Sequence, residues 1–305
     1  MAGNLEQHLG PLNDRCTIHR YYNSDNRDAL LEEFGEQIGI VGTNGHVGCS
    51  EPMMDRLPNL EMIGCFGVGY DAIDIPAARK RCISVTNTPE VLNDAVAELA
   101  LGLMISLSRK IPQSDRFVRA GHWLNGEYPL TSELSGKTAG IVGLGRIGKE
   151  VARRLQAMKM RVVYHGRNQQ PHEPYQYYAD IENMARDIDW LVVCLPGGSS
   201  TDGIVSKQVL DALGTTGYLV NVARGSVVDE TSLIERIEKG QIAGAALDVF
   251  EDEPRVPQAL MDSERVVLTP HAASATTKTR HEMGELVIRN ILAHIDGLPL
   301  ITRVA

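Results

Sequence analysis

Two series of short apolar runs separated by amphipathic stretches divide the chain. In the first series, runs at 16–21, 38–41, 60–66 and 83–85 have the length and branched or aromatic content of strands. Residues 26–34 read as a helix, Ser50 caps a short helix with Pro52 in its first turn, and Asp74 caps another over 76–81. Helices threaded between strands predict a parallel sheet covered on both faces. A longer helix is predicted over 93–110, where Leu99, Leu103 and Leu107 recur every four residues and Pro112 marks its end. Residues 119–136 hold Gly121, Gly126 and Pro129 and read as an irregular connection.

The second series predicts strands at 138–143, 161–165, 190–195, 218–223, 244–249 and 265–269. Helices fit between them at 146–159, 181–187, 206–213 and 230–239, the last with Asp229 at its cap and Gly240 just past its end. Six strands joined by crossovers suit a doubly wound nucleotide-binding domain. A final helix over 276–294, stopped by Gly297 and Pro299, is expected to fold back onto the first domain.

Composition narrows the function. A chain of 305 residues suggests about two domains, and 43% apolar with 23% charged residues is an ordinary soluble balance able to fill a core. The net charge of −9 offers no footprint for a polyanion, so sequence-independent nucleic-acid binding is disfavoured. The longest apolar run, 96–107, contains Glu98 and is shorter than the roughly 20 residues of a bilayer span. Residues 1–12 are polar, with no apolar signal-peptide core. Cys16, Cys49, Cys65, Cys82 and Cys194 form no C-x-x-C pair, which predicts buried free thiols in a reducing cytoplasm and no zinc site built on cysteine.

Gly143, Gly145 and Gly148 form a G-x-G-x-x-G after a predicted strand and at the start of a predicted helix. Two glycines there permit a tight turn and close approach to a pyrophosphate, and the third lets helix pack on strand. The next strand ends in Tyr164, His165, Gly166, Arg167 and Asn168, with no carboxylate for a ribose 2′-hydroxyl. Arg167 can instead pair with a 2′-phosphate. NADPH is the expected cofactor, with NADH the weaker alternative.

Three late strands end in residues with matching chemistry: Arg224, Glu253 and His271. Reduction of a 2-keto acid builds negative charge on the carbonyl oxygen, which needs a cation to polarise it and an acid to protonate it. A guanidinium is always charged, so Arg224 can bind carboxylate and carbonyl oxygens throughout. Imidazole titrates near neutrality, so His271 can be the acid, and a carboxylate partner in Glu253 would favour its imidazolium form.

The strings at 143–148, 221–225, 248–254 and 269–271 together resemble the D-2-hydroxyacid dehydrogenases, closest to the NADPH-dependent glyoxylate/hydroxypyruvate reductases. The resemblance covers 38–299. It implies an α/β protein of two doubly wound parallel-sheet domains: a Rossmann cofactor domain at 96–283, inserted in a flavodoxin-like substrate domain at 1–95 and 284–305. It implies Arg224, Glu253 and His271 as the catalytic set, with Val68 and Gly69 offering backbone N–H groups to the substrate carboxylate and Ser274 lining the site. It implies cofactor contacts from Arg146, Ile147, Cys194, Leu195, Pro196, Val222, Ala223 and Asp248, with Gly166, Arg167 and Asn168 at the adenosine phosphate. It also implies a homodimer that embraces through residues 93–135, and a cleft that closes over the hydride path. Trp123 is present, but the spacing over 121–129 departs from the family pattern, so no role passes to it. Formate dehydrogenases, which carry Gln at the position of Glu253, do not fit. Two alternatives stand beside the small-acid reductase: a reductase of bulkier acids such as phenylpyruvate or hydroxyphenylpyruvate, and a non-catalytic, dinucleotide-sensing corepressor-like protein. Gly45, His46 and Gly48 after the second strand do not decide between large and small acids.

Overall fold

The computed structural model describes residues 3–305. The chain divides into two compact units, Met1–Leu92 with Ala275–Ala305, and Asn93–Ser274. In the first unit, helix α1 (Arg27–Phe34) is capped by the Asn26 side chain, which accepts from the Ala29 N–H at 3.0 Å. Strand β1 (Ile40–Asn44), helix α2 (Glu51–Asp55), strand β2 (Met62–Phe66), helix α3 (Ile75–Lys80) and strand β3 (Ser84–Thr86) follow. Asp74 caps α3 as expected, its carboxylate accepting from the Ala77 N–H at 2.9 Å. The strands form a parallel sheet in the order β1-β2-β3, and β2, buried along its whole length, holds the centre. The chain's last residues cover the far edge of β3: Val304 donates to the Val85 carbonyl at 2.8 Å, and Val85 donates to Ala305 at 3.0 Å.

The strand expected at 16–21 does not form. Residues 17–20 have no regular structure, and Tyr21–Asn23 close in a 3-10 turn. A strand exists only by pairing, and β1 takes its ladder partner from β2. The segment instead lends Ile18 and Tyr21 to the wall of an apolar cavity of about 570 Å³ beside β1.

The second unit begins with helix α4 (Asn93–Arg109) and helix α5 (Ile111–Arg119). Pro112, read as a terminator, lies in the first turn of α5, where a missing N–H costs no helical bond. The break between the helices is Lys110, whose φ of 50° is left-handed. Strand β4 (Thr138–Val142), helix α6 (Arg146–Ala157), strand β5 (Arg161–His165), strand β6 (Gln176–Tyr178), helix α7 (Ile181–Arg186) and strand β7 (Trp190–Val193) come next. Helix α8 (Lys207–Leu213), strand β8 (Tyr218–Asn221), helix α9 (Glu230–Glu238), strand β9 (Gly244–Leu247), helix α10 (Gln258–Asp262) and strand β10 (Val266–Leu268) complete the unit. All seven strands run parallel, in the order β10-β9-β8-β7-β4-β5-β6. Six were expected. The seventh, β6, is a three-residue edge strand in a polar stretch behind Pro171 and Pro174, which reads as loop. Strands β4, β7, β8 and β9 are almost wholly buried, as sheets covered on both faces must be. Helix α4 packs on this sheet so closely that a Cβ on Gly244 would lie 3.2 Å from Leu107 Cδ1.

Helix α11 (Thr277–Ile295), capped by Thr276, returns the chain to the first unit. It lies on β2, where a Cβ on Gly64 would meet Val287 Cγ1 at 3.2 Å. The unit boundary precedes this helix instead of dividing it at 283/284. Met283, Val287 and Ile291 are buried along its length, and each such burial contributes about 1.5–3 kcal/mol. A helix held that way behaves as one body. No helix of the described residues is long and apolar enough to cross a membrane.

Candidate active site

Because every strand of the second unit runs the same way, the turns after them share one rim of the sheet. The glycine motif follows β4, Gly166, Arg167 and Asn168 follow β5, and Cys194, Leu195 and Pro196 follow β7. Val222, Ala223 and Arg224 follow β8, Asp248 follows β9, and His271 and Ser274 follow β10. Val68 and Gly69 come instead from the first unit, in the turn after β2.

The glycine turn has the geometry that close approach demands. Gly143 has a φ of 95°, and a Cβ there would lie 2.8 Å from Leu195 Cβ. A Cβ on Gly148 would lie 2.2 Å from the Gly143 carbonyl oxygen. Gly145 differs, since nothing lies within 4 Å of its missing Cβ. Side chains of Asp180, Ser206 and Asp229 cap α7, α8 and α9, whereas α6 starts at Gly145 with no side-chain cap. Its first-turn N–H groups and positive dipole end face an open cradle that fits the pyrophosphate of a dinucleotide.

The turn after β5 is tied to that cradle. The Gln170 side chain donates to the Leu144 carbonyl at 2.7 Å, its N–H donates to Tyr164 Oη at 2.7 Å, and Tyr177 Oη donates to Gly166 at 3.1 Å. Arg167 and Asn168 are exposed at the tip of this braced turn. Beside the sheet, burial pushes the Cys194 thiol up to about 12, which keeps it neutral.

Asn221 shapes the turn that delivers Arg224: its Oδ1 accepts from the Ala223 N–H at 3.0 Å and its Nδ2 donates to the Arg224 carbonyl at 2.8 Å. The Arg224 guanidinium in turn donates to the Ala223 carbonyl at 2.8 Å.

Asp248 organises the next turn. Fully buried, it accepts from Thr269 Oγ1 at 2.6 Å and from the Ala272 and Ala273 N–H groups at 2.8 and 2.9 Å. Burial pushes its carboxyl above the ordinary range, and these donors pull the other way. The Asp248 carbonyl accepts from the His271 N–H at 2.8 Å. Held on both sides, His271 adopts a left-handed φ of 50°, a conformation that costs a non-glycine residue about 1–2 kcal/mol.

Glu253 and His271 meet directly. Glu253 Oε2 lies 2.8 Å from His271 Nδ1, while Oε1 accepts from the Phe250 N–H at 3.0 Å. An ionised carboxylate only accepts, so Nδ1 carries the hydrogen of this bond. In the first unit, the turn after β2 is tied by Thr88, whose Oγ1 accepts from the Gly67 N–H at 3.1 Å and whose N–H donates to the Gly67 carbonyl at 2.9 Å.

Sequence reasoning overlooked several supporting residues. Asn221 had a local signal, since Asn two residues before a turn amide is an Asx-turn pattern. Gln170 and Thr269 had none, because their partners lie 26 and 21 residues away.

Residues 101–273 match the family described as D-isomer specific 2-hydroxyacid dehydrogenase, NAD binding domain. Glyoxylate/hydroxypyruvate reductase A of Arabidopsis thaliana is 43% identical over 304 residues, covering 100% of this chain and 96% of the relative. Hydroxyphenylpyruvate reductase of Plectranthus scutellarioides is 41% identical with the same two coverages, 100% and 96%. Among solved structures, the NADPH-dependent glyoxylate/hydroxypyruvate reductase of Sinorhizobium meliloti, in complex with NADP and malonate, superposes with a TM-score of 0.91 at 39% identity, covering 100% of this chain and 94% of that one. A full-length likeness in sequence and fold, joined to a glycine cradle and an Arg, Glu and His series on one rim, leads to a single conclusion: this chain belongs to the D-isomer specific 2-hydroxyacid dehydrogenase family.

Proposed function

We propose that the chain reduces small 2-keto acids, glyoxylate and hydroxypyruvate, to the corresponding 2-hydroxy acids with NADPH. The observation that carries this reading is the 2.8 Å pair of His271 Nδ1 and Glu253 Oε2, on the same rim as the uncapped glycine turn. The S. meliloti relative, named as an NADPH-dependent reductase of these two acids, supports the choice of substrate and cofactor.

Gly143, Gly145, Arg146, Ile147 and Gly148 would hold the pyrophosphate on the first turn of α6. Gly166, Arg167 and Asn168 would take the adenosine phosphate, with Arg167 selecting a 2′-phosphate by charge. Cys194, Leu195, Pro196, Val222, Ala223 and Asp248 would line the rest of the cofactor site. When bound, the reduced nicotinamide supplies a hydride. Val68 and Gly69 bind the substrate carboxylate through backbone N–H groups, and Ser274 lines the substrate site. Arg224 polarises the carbonyl and stabilises the charge that grows on its oxygen. His271 gives the proton at Nε2 to that oxygen. Glu253, fixed through both oxygens, holds the ring orientation.

The chain acts as a homodimer. Large apolar side chains gather on the 111–130 segment, where Trp123, Leu124 and Leu130 are 67%, 91% and 99% exposed, the character of a surface that meets a partner. Five cysteines outside any disulfide support a cytoplasmic location, although only Cys49 and Cys65 are buried as expected and Cys16 and Cys82 are exposed. The Plectranthus relative's name favours a second reading, in which the acid is larger and aromatic.

Initial rates with glyoxylate, hydroxypyruvate and phenylpyruvate, each with NADPH and NADH, test the assignment. The highest kcat/KM is expected for the two small acids with NADPH. Preference for phenylpyruvate would select the second reading, and preference for NADH would remove Arg167 from its role. No turnover of any acid would overturn the enzyme reading in favour of a dinucleotide sensor.

A further inference from the structure

The turn after β2, to which the proposed function gives the substrate carboxylate, is rigid for reasons that lie outside it. A loop that binds through backbone N–H groups must present them at fixed angles, and the carbonyls around it are the handles by which the fold can aim it. All three peptide units of this turn are held. Thr88 holds Gly67 on both sides, Asn87 Nδ2 donates to the Val68 carbonyl at 2.8 Å, and Cys65 Sγ donates to the Gly69 carbonyl at 3.5 Å. The Val68 carbonyl belongs to the same peptide plane as the Gly69 N–H. Fixing one fixes the direction of the other.

Asn87 is itself clamped. It is buried, its carbonyl accepts from Thr302 Oγ1 at 2.6 Å, and its N–H donates to the Thr302 carbonyl at 3.3 Å. Thr302 is gripped by Asn290 of α11, which is fully buried with every polar valence used. Its Nδ2 donates to the Leu286 carbonyl at 2.8 Å and to Thr302 Oγ1 at 2.9 Å. Its Oδ1 accepts from the Ile301 and Thr302 N–H groups at 2.9 and 3.1 Å. A chain of hydrogen bonds thus runs from α11 through the C-terminal segment to the carboxylate-binding turn.

We infer that Asn87 is a positioning residue for substrate binding, which aims the Gly69 N–H by holding the Val68 carbonyl. This rests on the assignment of Val68 and Gly69 to the substrate carboxylate. The amide is suited to the task because it can donate where a carboxylate cannot. Its effect is confined to binding the carboxylate, which is held alike before and after hydride transfer, so it appears in KM more than in kcat.

The test compares the full-length chain with Asn87→Ala and Asn87→Asp in glyoxylate reduction with NADPH. In both variants KM for glyoxylate is expected to rise about tenfold, equivalent to one lost hydrogen bond. The values of kcat and of KM for NADPH stay within about twofold on the same reasoning. Asn87→Asp carries a further signature: its KM, relative to the parent chain at each pH, falls back toward the parent value as the pH is lowered. A protonated carboxyl regains the O–H that can donate to Val68. The proposal is overturned by an unchanged KM for glyoxylate in either folded variant. It is equally overturned by parallel losses in kcat and in affinity for NADPH, or by failure of both variants to fold, which would assign Asn87 to the fold alone. Failure of the parent chain to turn over any 2-keto acid would fault the proposed function, before Asn87 is tested.

Discussion

His271 combines a strained backbone with a fixed ring, and the two have different sources. Asp248 imposes the left-handed φ through the backbone on either side, and Glu253 orients the ring through Nδ1. Strain of this kind persists where surrounding bonds over-determine it, as they do here. In the proposed mechanism the Glu253 carboxylate holds the ring that gives the proton. In Glu253→Gln the charge is gone while the hydrogen-bonding shape remains, and kcat for reduction is expected to fall by about tenfold or more. A kcat within about twofold of the parent value would remove Glu253 from its role. That Glu253 and His271 follow late strands of a parallel sheet was legible in the sequence. The Asp248 bonds were not, since Asp248 meets Thr269 and the amides beyond it only after β9 and β10 pair.

At the scale of elements, helix ends show how local chemistry becomes either structure or site. Asp74, Ser206, Asp229 and Thr276 stop their helices by capping them, and each was readable as a cap or helix start from sequence. Helix α6 has no such cap, and its open end is where the proposed function seats the cofactor pyrophosphate. The N-terminal 3-10 turn Gly3–His8 packs on α11, with a Cβ on Gly284 falling 2.2 Å from the His8 ring. Burial, with His281 nearby, lowers the tendency of His8 to protonate, and Glu285 opposes this weakly. Below about 6.5, the ordinary imidazole value, the unfolded chain binds the extra proton and the folded chain resists it. Stability therefore falls as pH drops through that value, until folded His8 also protonates. Melting temperatures of parent and His8→Gln between pH 7.5 and 5.5 check this. The acid-induced drop should be smaller in the variant, by on the order of 2 °C. Equal drops would show that His8 carries none of the acid sensitivity.

At the scale of the whole molecule, the proposed homodimer would cover the exposed apolar side chains of the 111–130 segment. Sedimentation equilibrium should return twice the chain mass, and Leu124→Asp with Leu130→Asp should return the mass of one chain. A parent protein that sediments as a monomer at micromolar concentration would exclude the homodimer. The two units, and the return of the last helix to the first, were expected; the borders differ, falling at 92/93 instead of 95/96 and at 274/275 instead of 283/284.

What the sequence by itself determined is what depends on near neighbours: the period of strands and helices, the caps, the glycine turn, and the order in which Arg224, Glu253 and His271 follow their strands. These are set by geometry within a few residues, so they survive without a fold. Only the tertiary structure decided which candidate strands found partners. Residues 16–21 had the pattern and no ladder, while β6 had little pattern and gained one at the edge of β5. Only the tertiary structure, too, joined Gln170 to Leu144 and Asn87 to Val68. Side chains 26 and 19 residues from their partners meet through space, and no periodicity encodes a distance that folding alone closes.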